Sequence, residues 1–144
     1  MKKIILMLFA ASLIWAQQPS VLENLKKILP QGLNINFYEE SEIENLLHYC
    51  KVYEDKVYCS IGIHPHHASE LKPDTIANLK PHLDSKYVRS IGEVGLDYFR
   101  NFQSPQIQIK CFETFVELAI QENYPLFLHH REAFNDFYRI KQIS

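Results

Sequence analysis

The chain has 144 residues, of which 47% are hydrophobic and 22% are charged, and its formal net charge is −2. This composition is typical of one globular domain and excludes long disordered or low-complexity segments. The lack of a basic stripe argues against binding DNA through charge alone. It leaves open an enzyme that holds phosphates through metal ions.

Residues 1–20, MKKIILMLFAASLIWAQQPS, combine a basic start, an apolar stretch from Ile4 to Ala16 and a polar segment. This order is typical of a signal peptide cleaved after Ala16, although Ile14 is not the small residue such a site usually carries. The apolar run is too short to span a membrane, so no stable membrane span is expected. The alternative is that residues 1–16 form a divergent first strand of the domain that residues 17–144 build.

Apolar residues at helical spacing predict a first helix over Val21–Leu29, which Pro30 and Gly32 end. The elements predicted after it are, in chain order, a strand over 33–37, a helix over 39–53 capped by Ser41, a strand over 57–63, helical turns over 69–83 broken by Pro73 and Pro81, a strand over 87–94, a helix over 104–124 capped by Ser104, a strand over 125–130 and a helix over 131–142.

Strands and helices therefore alternate, and the strands are nearly continuous apolar runs. Both features predict an α/β fold of parallel βα repeats, with helices covering the sheet. Four strands are predicted, or five if the N-terminal apolar run is one. The cysteines Cys50, Cys59 and Cys111 are far apart and odd in number, so a disulfide framework is not expected.

Three predicted strands run into residues that can carry chemistry. The second strand leads to His64, the third to Glu93 and Asp97, and the fourth to His129 and its neighbours. The carboxyl ends of parallel strands share one face, where active sites of such folds are built. Imidazole nitrogen and carboxylate oxygen bind Zn²⁺, Mn²⁺ or Mg²⁺, and a bound cation would remove the cost of burying Glu93.

Structural alternatives exist for the acidic residues. Glu93 can instead pair with a cation such as Arg131, and Asp97 can cap a turn. Among the aromatic neighbours, Tyr98 and Phe99 are expected to pack. Gln108 and Phe112 are expected to shape the inner face of the long helix, since they lie one turn apart.

The histidines differ in how well each is placed. His66 and His67 are expected to lie in a solvated loop rather than to bind a metal. Successive residues of a strand face opposite sides, so only one of His129 and His130 should reach the site. His130 is expected to point away.

The segments IGIHPHHA, IGEVGLDYFRNF and YPLFLHHREA, with a Gln–Phe helix ending in ELA before the last, resemble the TatD-related deoxyribonucleases over Leu33–Lys141. The resemblance implies an incomplete TIM (β/α)₈ barrel, because such a barrel needs about 250 residues. It also implies metal-dependent hydrolysis of phosphodiester bonds in DNA, often from the 3′ end, with two divalent ions (Mg, Mn or Zn) per site.

The resemblance also implies roles for particular residues. Glu93 matches the acidic ligand that bridges the metal ions, and His129 matches a metal-ligating histidine. His64 matches a pocket histidine that contacts substrate phosphate or water. Asp97 and Arg131 match motif positions near the site and are further catalytic candidates.

The sequence departs from the family pattern in ways that affect function. The stretch IILMLFAASLIW lacks the HxH metal ligands of many members, and Phe115 stands where a second Gln is usual. The family places a further ligating His and an Asp later in the barrel. We therefore expect the chain to be a half-barrel with poor or no activity, and its open sheet edges to favour self-association. The alternative is a non-catalytic secreted or interacting fragment. The N-terminus predicts secretion, whereas the resemblance implies the cytoplasm or nucleus.

Overall fold

The computed structural model of the chain describes residues 33–37, 43–53 and 57–141. The predicted signal peptide or first strand, the helix over Val21–Leu29 and the Ser41 cap lie outside these residues. The described residues form one sheet of four parallel strands in the order β1-β2-β3-β4. The strands are β1 (Leu33–Phe37), β2 (Val57–Ile61), β3 (Val88–Asp97) and β4 (Leu126–Arg131).

Helices connect the strands, as the alternation predicts. They are α1 (Ile43–Val52), a 3₁₀ helix (Pro65–Glu70), α2 (Thr75–Leu83), α3 (Pro105–Glu122) and α4 (Phe134–Lys141). The α/β class with four parallel strands is thus confirmed. No helix among the described residues is long and apolar enough to cross a membrane.

The helix boundaries follow local signals with one exception. Ser104 caps α3, where its Oγ accepts from the N–H of Ile107 at 3.5 Å, and Asn123 ends it in the left-handed conformation at φ 54°. The prediction that Pro81 breaks the preceding helix is wrong, because α2 continues through it to Leu83. Since Pro81 lies in the last turn, its missing N–H removes only one hydrogen bond.

The core lies between the sheet and its covering helices. Ile91, Val94 and Leu96 of β3 are fully buried, as is Phe115 of α3. Burying one such side chain contributes roughly 1.5–3 kcal/mol. The three cysteines are free and buried, which confirms the prediction that they form no disulfide framework.

Strand β3 positions the chemistry-bearing residues. It extends three residues past the predicted end at Val94, so Asp97 is its last residue. The register with β4 shifts between Gly92 and Val94, which places Glu93 in a bulge. Gly95, at φ 147°, lies so close to β4 that a Cβ there would collide with the carbonyl oxygen of His129.

Within the described residues, β1 and β4 each pair with one neighbouring strand and form the edges of the sheet. Self-association through such edges stays a prediction.

Candidate metal centre

The first part of the site is the turn that follows β2. His64 caps the 3₁₀ helix, and its Nδ1 accepts from the backbone N–H of His66 at 3.2 Å. Pro65 occupies the first helical position, where its fixed φ suits the turn. Because this turn begins at the strand end, both imidazoles are held at the carboxyl edge of the sheet.

The carboxylates come from β3, and both Glu93 and Asp97 are almost fully buried. Asp97 Oδ1 accepts from the N–H of Arg100 at 2.8 Å, which is the predicted turn-capping role. Its Oδ2 lies 2.9 Å from His66 Nε2 and 3.0 Å from His129 Nε2. One carboxylate therefore both fixes the turn and orients two imidazoles.

His129 of β4 lies at the centre of the cluster. Its Nδ1 is 2.9 Å from Glu93 Oε1 and 3.2 Å from His64 Nε2. His130 points elsewhere and meets the ring of Phe137 at 4.8 Å between centroids. The alternation along the strand thus brings one histidine of the pair to the site.

Burial and charge set the protonation of these groups. Burial, reinforced by the neighbouring His129 and His66, lowers the pKa of His64 to about 3. Burial also opposes protonation of His129, but the Glu93 and Asp97 carboxylates outweigh it and raise its pKa.

Opposing influences also act on Asp97. Burial favours the neutral form, but the Arg100 N–H and the His66 and His129 rings prevail and lower its pKa to about 2. At neutral pH, His64 is therefore an uncharged imidazole whose Nδ1 lone pair accepts from the His66 N–H, and Asp97 offers a charged oxygen.

Gln108 of α3 hydrogen-bonds to the backbone of Asp97. It is 1% exposed, its Oε1 accepts from the Asp97 N–H at 2.8 Å, and its Nε2 donates to the Asp97 carbonyl at 3.1 Å and the Gln103 carbonyl at 2.7 Å. The predicted inner-face position is therefore also a clamp on the backbone of the site.

These residues fit a divalent cation. His64, His66 and His129 each offer a ring nitrogen, and the three atoms lie within 4.8 Å of one another. Three groups, two carboxylates and the His64 ring, lie within hydrogen-bond distance of His129. The His129 ring carries at most two N–H groups, so it cannot donate to all three. Since imidazole and carboxylate are ligands of Zn²⁺ and Mn²⁺, a bound cation would resolve this competition.

Some sequence-based expectations about neighbouring residues are wrong. His66 belongs to the cluster and not to a solvated loop, because the 3₁₀ turn folds it back onto Asp97. The guanidinium of Arg131 lies over the ring of Phe99, 3.8 Å from its centroid, and does not pair with Glu93. Phe99 is 54% exposed rather than packed, because it follows the strand end.

Other expectations match the structure. The Tyr98 ring packs at the edge of the core, with its hydroxyl donating to Asp136 at 2.8 Å. His67 pairs with Glu70 on the surface. The sequence signal for His66 is the spacing of HPH after a strand, whereas Gln108 carries only its position in the first turn of α3.

The chain matches one protein family over most of its length. The family profile described as TatD related DNase matches residues 15–143. A 3′-5′ ssDNA/RNA exonuclease TatD from Edwardsiella piscicida is 36% identical over 115 residues, covering 80% of this chain and 44% of the relative. The protein of that name from Erwinia amylovora is 37% identical over 109 residues, covering 76% and 42%. The chain thus spans less than half the length of these relatives.

Solved structures show the same fold. A TatD family hydrolase from Entamoeba histolytica superposes with a TM-score of 0.65 at 23% identity, covering 78% of this chain and 40% of that one. A TatD homologue from Escherichia coli K12 gives a TM-score of 0.68 at 19% identity, covering 86% and 51%. The described sheet and helices therefore match part of the fold of these proteins.

Proposed function

This chain belongs to the family of TatD-related deoxyribonucleases, and on that premise we propose that its histidine–carboxylate cluster takes part in metal-dependent hydrolysis of phosphodiester bonds in a nucleic acid strand. The observation that carries the proposal is the convergence of His64, His66 and His129 with two buried carboxylates at one edge of the sheet. Two ligands, Glu93 and His129, are expected from the sequence. The side chains of His64, His66 and Asp97 lie beside them and support the proposal.

Each residue has a distinct task in the proposed site. Glu93 and His129 would hold the cation, and His66 would add a nitrogen from the adjoining turn. His64, whose Nδ1 accepts from the His66 N–H, would contact a phosphate or water through Nε2. Asp97 keeps the His66 and His129 rings in place through one carboxylate oxygen. Arg131 lies at the exposed edge, where its charge can meet a phosphate of the strand.

The donor set also bears on which metal is bound. Imidazole nitrogens favour Zn²⁺ over Mg²⁺, which prefers oxygen ligands, and the carboxylates beside them also suit Mn²⁺. A cation held there supplies a bound water of lowered pKa and neutralises charge on the phosphate. The family resemblance implies two ions per site, and the described residues offer donors for at least one.

The proposed substrate follows the relatives. Proteins 36% and 37% identical to this chain are named 3′-5′ ssDNA/RNA exonucleases. We propose the same substrate class, an unpaired DNA or RNA strand.

A cleavage assay on the full chain tests this function. A single-stranded DNA labelled at its 5′ end is incubated with Mn²⁺, Zn²⁺ or Mg²⁺, and shortened products are separated on a gel. We expect products only with added metal, none with chelator, and a loss of at least tenfold in Glu93→Gln. The control His130→Ala, a neighbouring histidine outside the cluster, should keep the wild-type rate.

Because the sequence predicts weak turnover, the assay scores metal dependence and its loss in the variant rather than the absolute rate. Cleavage that survives chelator, or that Glu93→Gln leaves unchanged, would contradict the proposal. Metal binding without cleavage by an excess of protein would support the alternative of a non-catalytic fragment.

A further inference from the structure

Two exposed phenylalanines lie beside the metal cluster, in the segment that follows β3. Phe99 is 54% exposed and Phe102 is 61% exposed. Singly exposed apolar residues are ordinary, but these two rings stand three residues apart and directly after the buried Asp97. Their position relative to the site therefore calls for an explanation.

The first ring touches the cluster itself. The centroid of the Phe102 ring is 4.7 Å from that of His66, with the rings edge to face. His66 in turn contacts Asp97 through Nε2. A planar group resting on Phe102 would therefore be a direct neighbour of the metal-binding side chains.

The second ring is joined to a cation. The guanidinium of Arg131 lies 3.8 Å from the centroid of the Phe99 ring, a cation–π contact, and both side chains are exposed. Arg100, also exposed, lies between the two phenylalanines in sequence. Two exposed arginines thus lie next to the rings, Arg131 in space and Arg100 in sequence, although the chain as a whole carries a net charge of −2.

The segment that carries the rings is fastened at both ends. The Arg100 N–H donates to Asp97 Oδ1 at 2.8 Å, and Gln103 Nε2 donates to the His66 carbonyl at 3.2 Å. The rings are therefore held in position by polar contacts with the site rather than by burial in the core.

We propose that Phe99, Phe102 and Arg131 form a stacking platform for unpaired bases of the strand whose phosphate lies at the metal cluster. Aromatic rings and guanidinium planes stack on nucleobases of any sequence, and cations beside them meet the backbone. Paired bases keep their faces covered by their neighbours in a duplex, so the platform selects single strands. This inference rests on the proposed function and assigns its substrate preference to these residues.

Equilibrium binding by the full chain tests the platform. The probe is a short, fluorescently labelled oligothymidylate with phosphorothioate linkages that resist cleavage, followed by fluorescence anisotropy in the presence of Mn²⁺. Stacking contributes about 1–3 kcal/mol per base, so Phe99→Ala and Phe102→Ala should each weaken binding by roughly 5- to 150-fold. Phe102→Trp should retain at least the wild-type affinity.

Two controls separate stacking from other effects. Tyr138→Ala removes a ring that is 54% exposed on α4 and stacks on Phe134, and it should leave affinity unchanged. An abasic strand of the same length has phosphates but no bases, so the wild type and both phenylalanine variants should bind it equally.

Several results would overturn the platform. These are no detectable binding of the strand by the wild type, phenylalanine variants within twofold of the wild type, or an equal loss of affinity for the abasic strand. So would dimers of the wild type in sedimentation that Phe99→Ala and Phe102→Ala both dissociate, since the rings would then join two copies of the chain.

Calorimetric titration of the same proteins with Mn²⁺ separates this inference from the proposed function. Intact metal binding with strand affinity indifferent to the rings refutes the platform alone. A wild type that binds no metal refutes the proposed function. In that case the strand affinities of Phe99→Ala and Phe102→Ala, compared with that of the wild type, still decide whether the platform exists.

Discussion

Replacing Gln108 with methionine should destabilise the fold because it removes two buried hydrogen bonds, at 2.8 and 3.1 Å, and a partly buried one at 2.7 Å. The Asp97 carbonyl keeps the Asn101 N–H at 3.3 Å, so two backbone groups are orphaned, the Asp97 N–H and the Gln103 carbonyl. The orphaned Asp97 N–H is buried and costs about 1–3 kcal/mol, whereas the half-buried Gln103 carbonyl costs less because water can reach it. Methionine buries more apolar surface, which offsets roughly 1 kcal/mol. The net loss should be about 1–2 kcal/mol, against a typical stability of 5–15 kcal/mol.

Urea unfolding followed by circular dichroism measures this loss as a lower midpoint at unchanged m-value. Gln106→Met is the matched control, because Gln106 lies on the same turn of α3 but is exposed. It should change stability by less than about 0.5 kcal/mol. If Gln108→Met proves as mild as Gln106→Met, the clamp on Asp97 does not contribute to stability as argued.

Three further outcomes are expected from urea unfolding of the metal-free protein. Gly95→Ala should destabilise by roughly 2 kcal/mol or more, because a Cβ at φ 147° meets the His129 carbonyl, and a neutral result would contradict the close approach of β3 and β4. Ser104→Ala should cost about 0.5–1 kcal/mol, since its cap bond is long at 3.5 Å, and no loss would mean that the cap is inactive. Between about pH 3 and 6.5 the unfolded state protonates His64 and the folded state does not, so stability should fall by about 1.4 kcal/mol per pH unit as pH decreases. The raised pKa of His129 acts in the opposite sense, because its contribution to stability is lost as pH rises above 6.5 through the folded-state pKa. A stability that does not fall as pH decreases below 6.5 would contradict the uncharged state assigned to His64.

Much of the fold follows from local sequence. The apolar strands of the sheet and the Ser104–Pro105 start of α3 are encoded by residue type and spacing, and they form where these signals predict. The rule that the carboxyl ends of parallel strands share one face was sufficient to predict that His64, Glu93 and His129 lie close together.

The remaining features depend on contacts between distant residues. The HPH spacing after a strand is a signal for His66, but it does not specify the 3₁₀ turn or the Asp97 carboxylate that hold the ring in the cluster. Gln108 hydrogen-bonds to the backbone of Asp97, eleven positions earlier in the chain, and no helical pattern specifies that contact. The exposure of Phe99 follows from the extension of β3 to Asp97, beyond its predicted end.

Isothermal titration of the full chain with Zn²⁺ or Mn²⁺ tests the cluster most directly. We expect the wild type to bind the metal, and to release more protons as the pH is lowered, because the Glu93 and Asp97 carboxylates raise the pKa of His129 and a ligating imidazole must be unprotonated. His129→Ala and Glu93→Gln should each weaken binding at least tenfold, whereas His130→Ala, on the same strand but facing Phe137, should bind as the wild type does. No binding by the wild type, or equal binding by all four proteins, would contradict a metal centre at these residues.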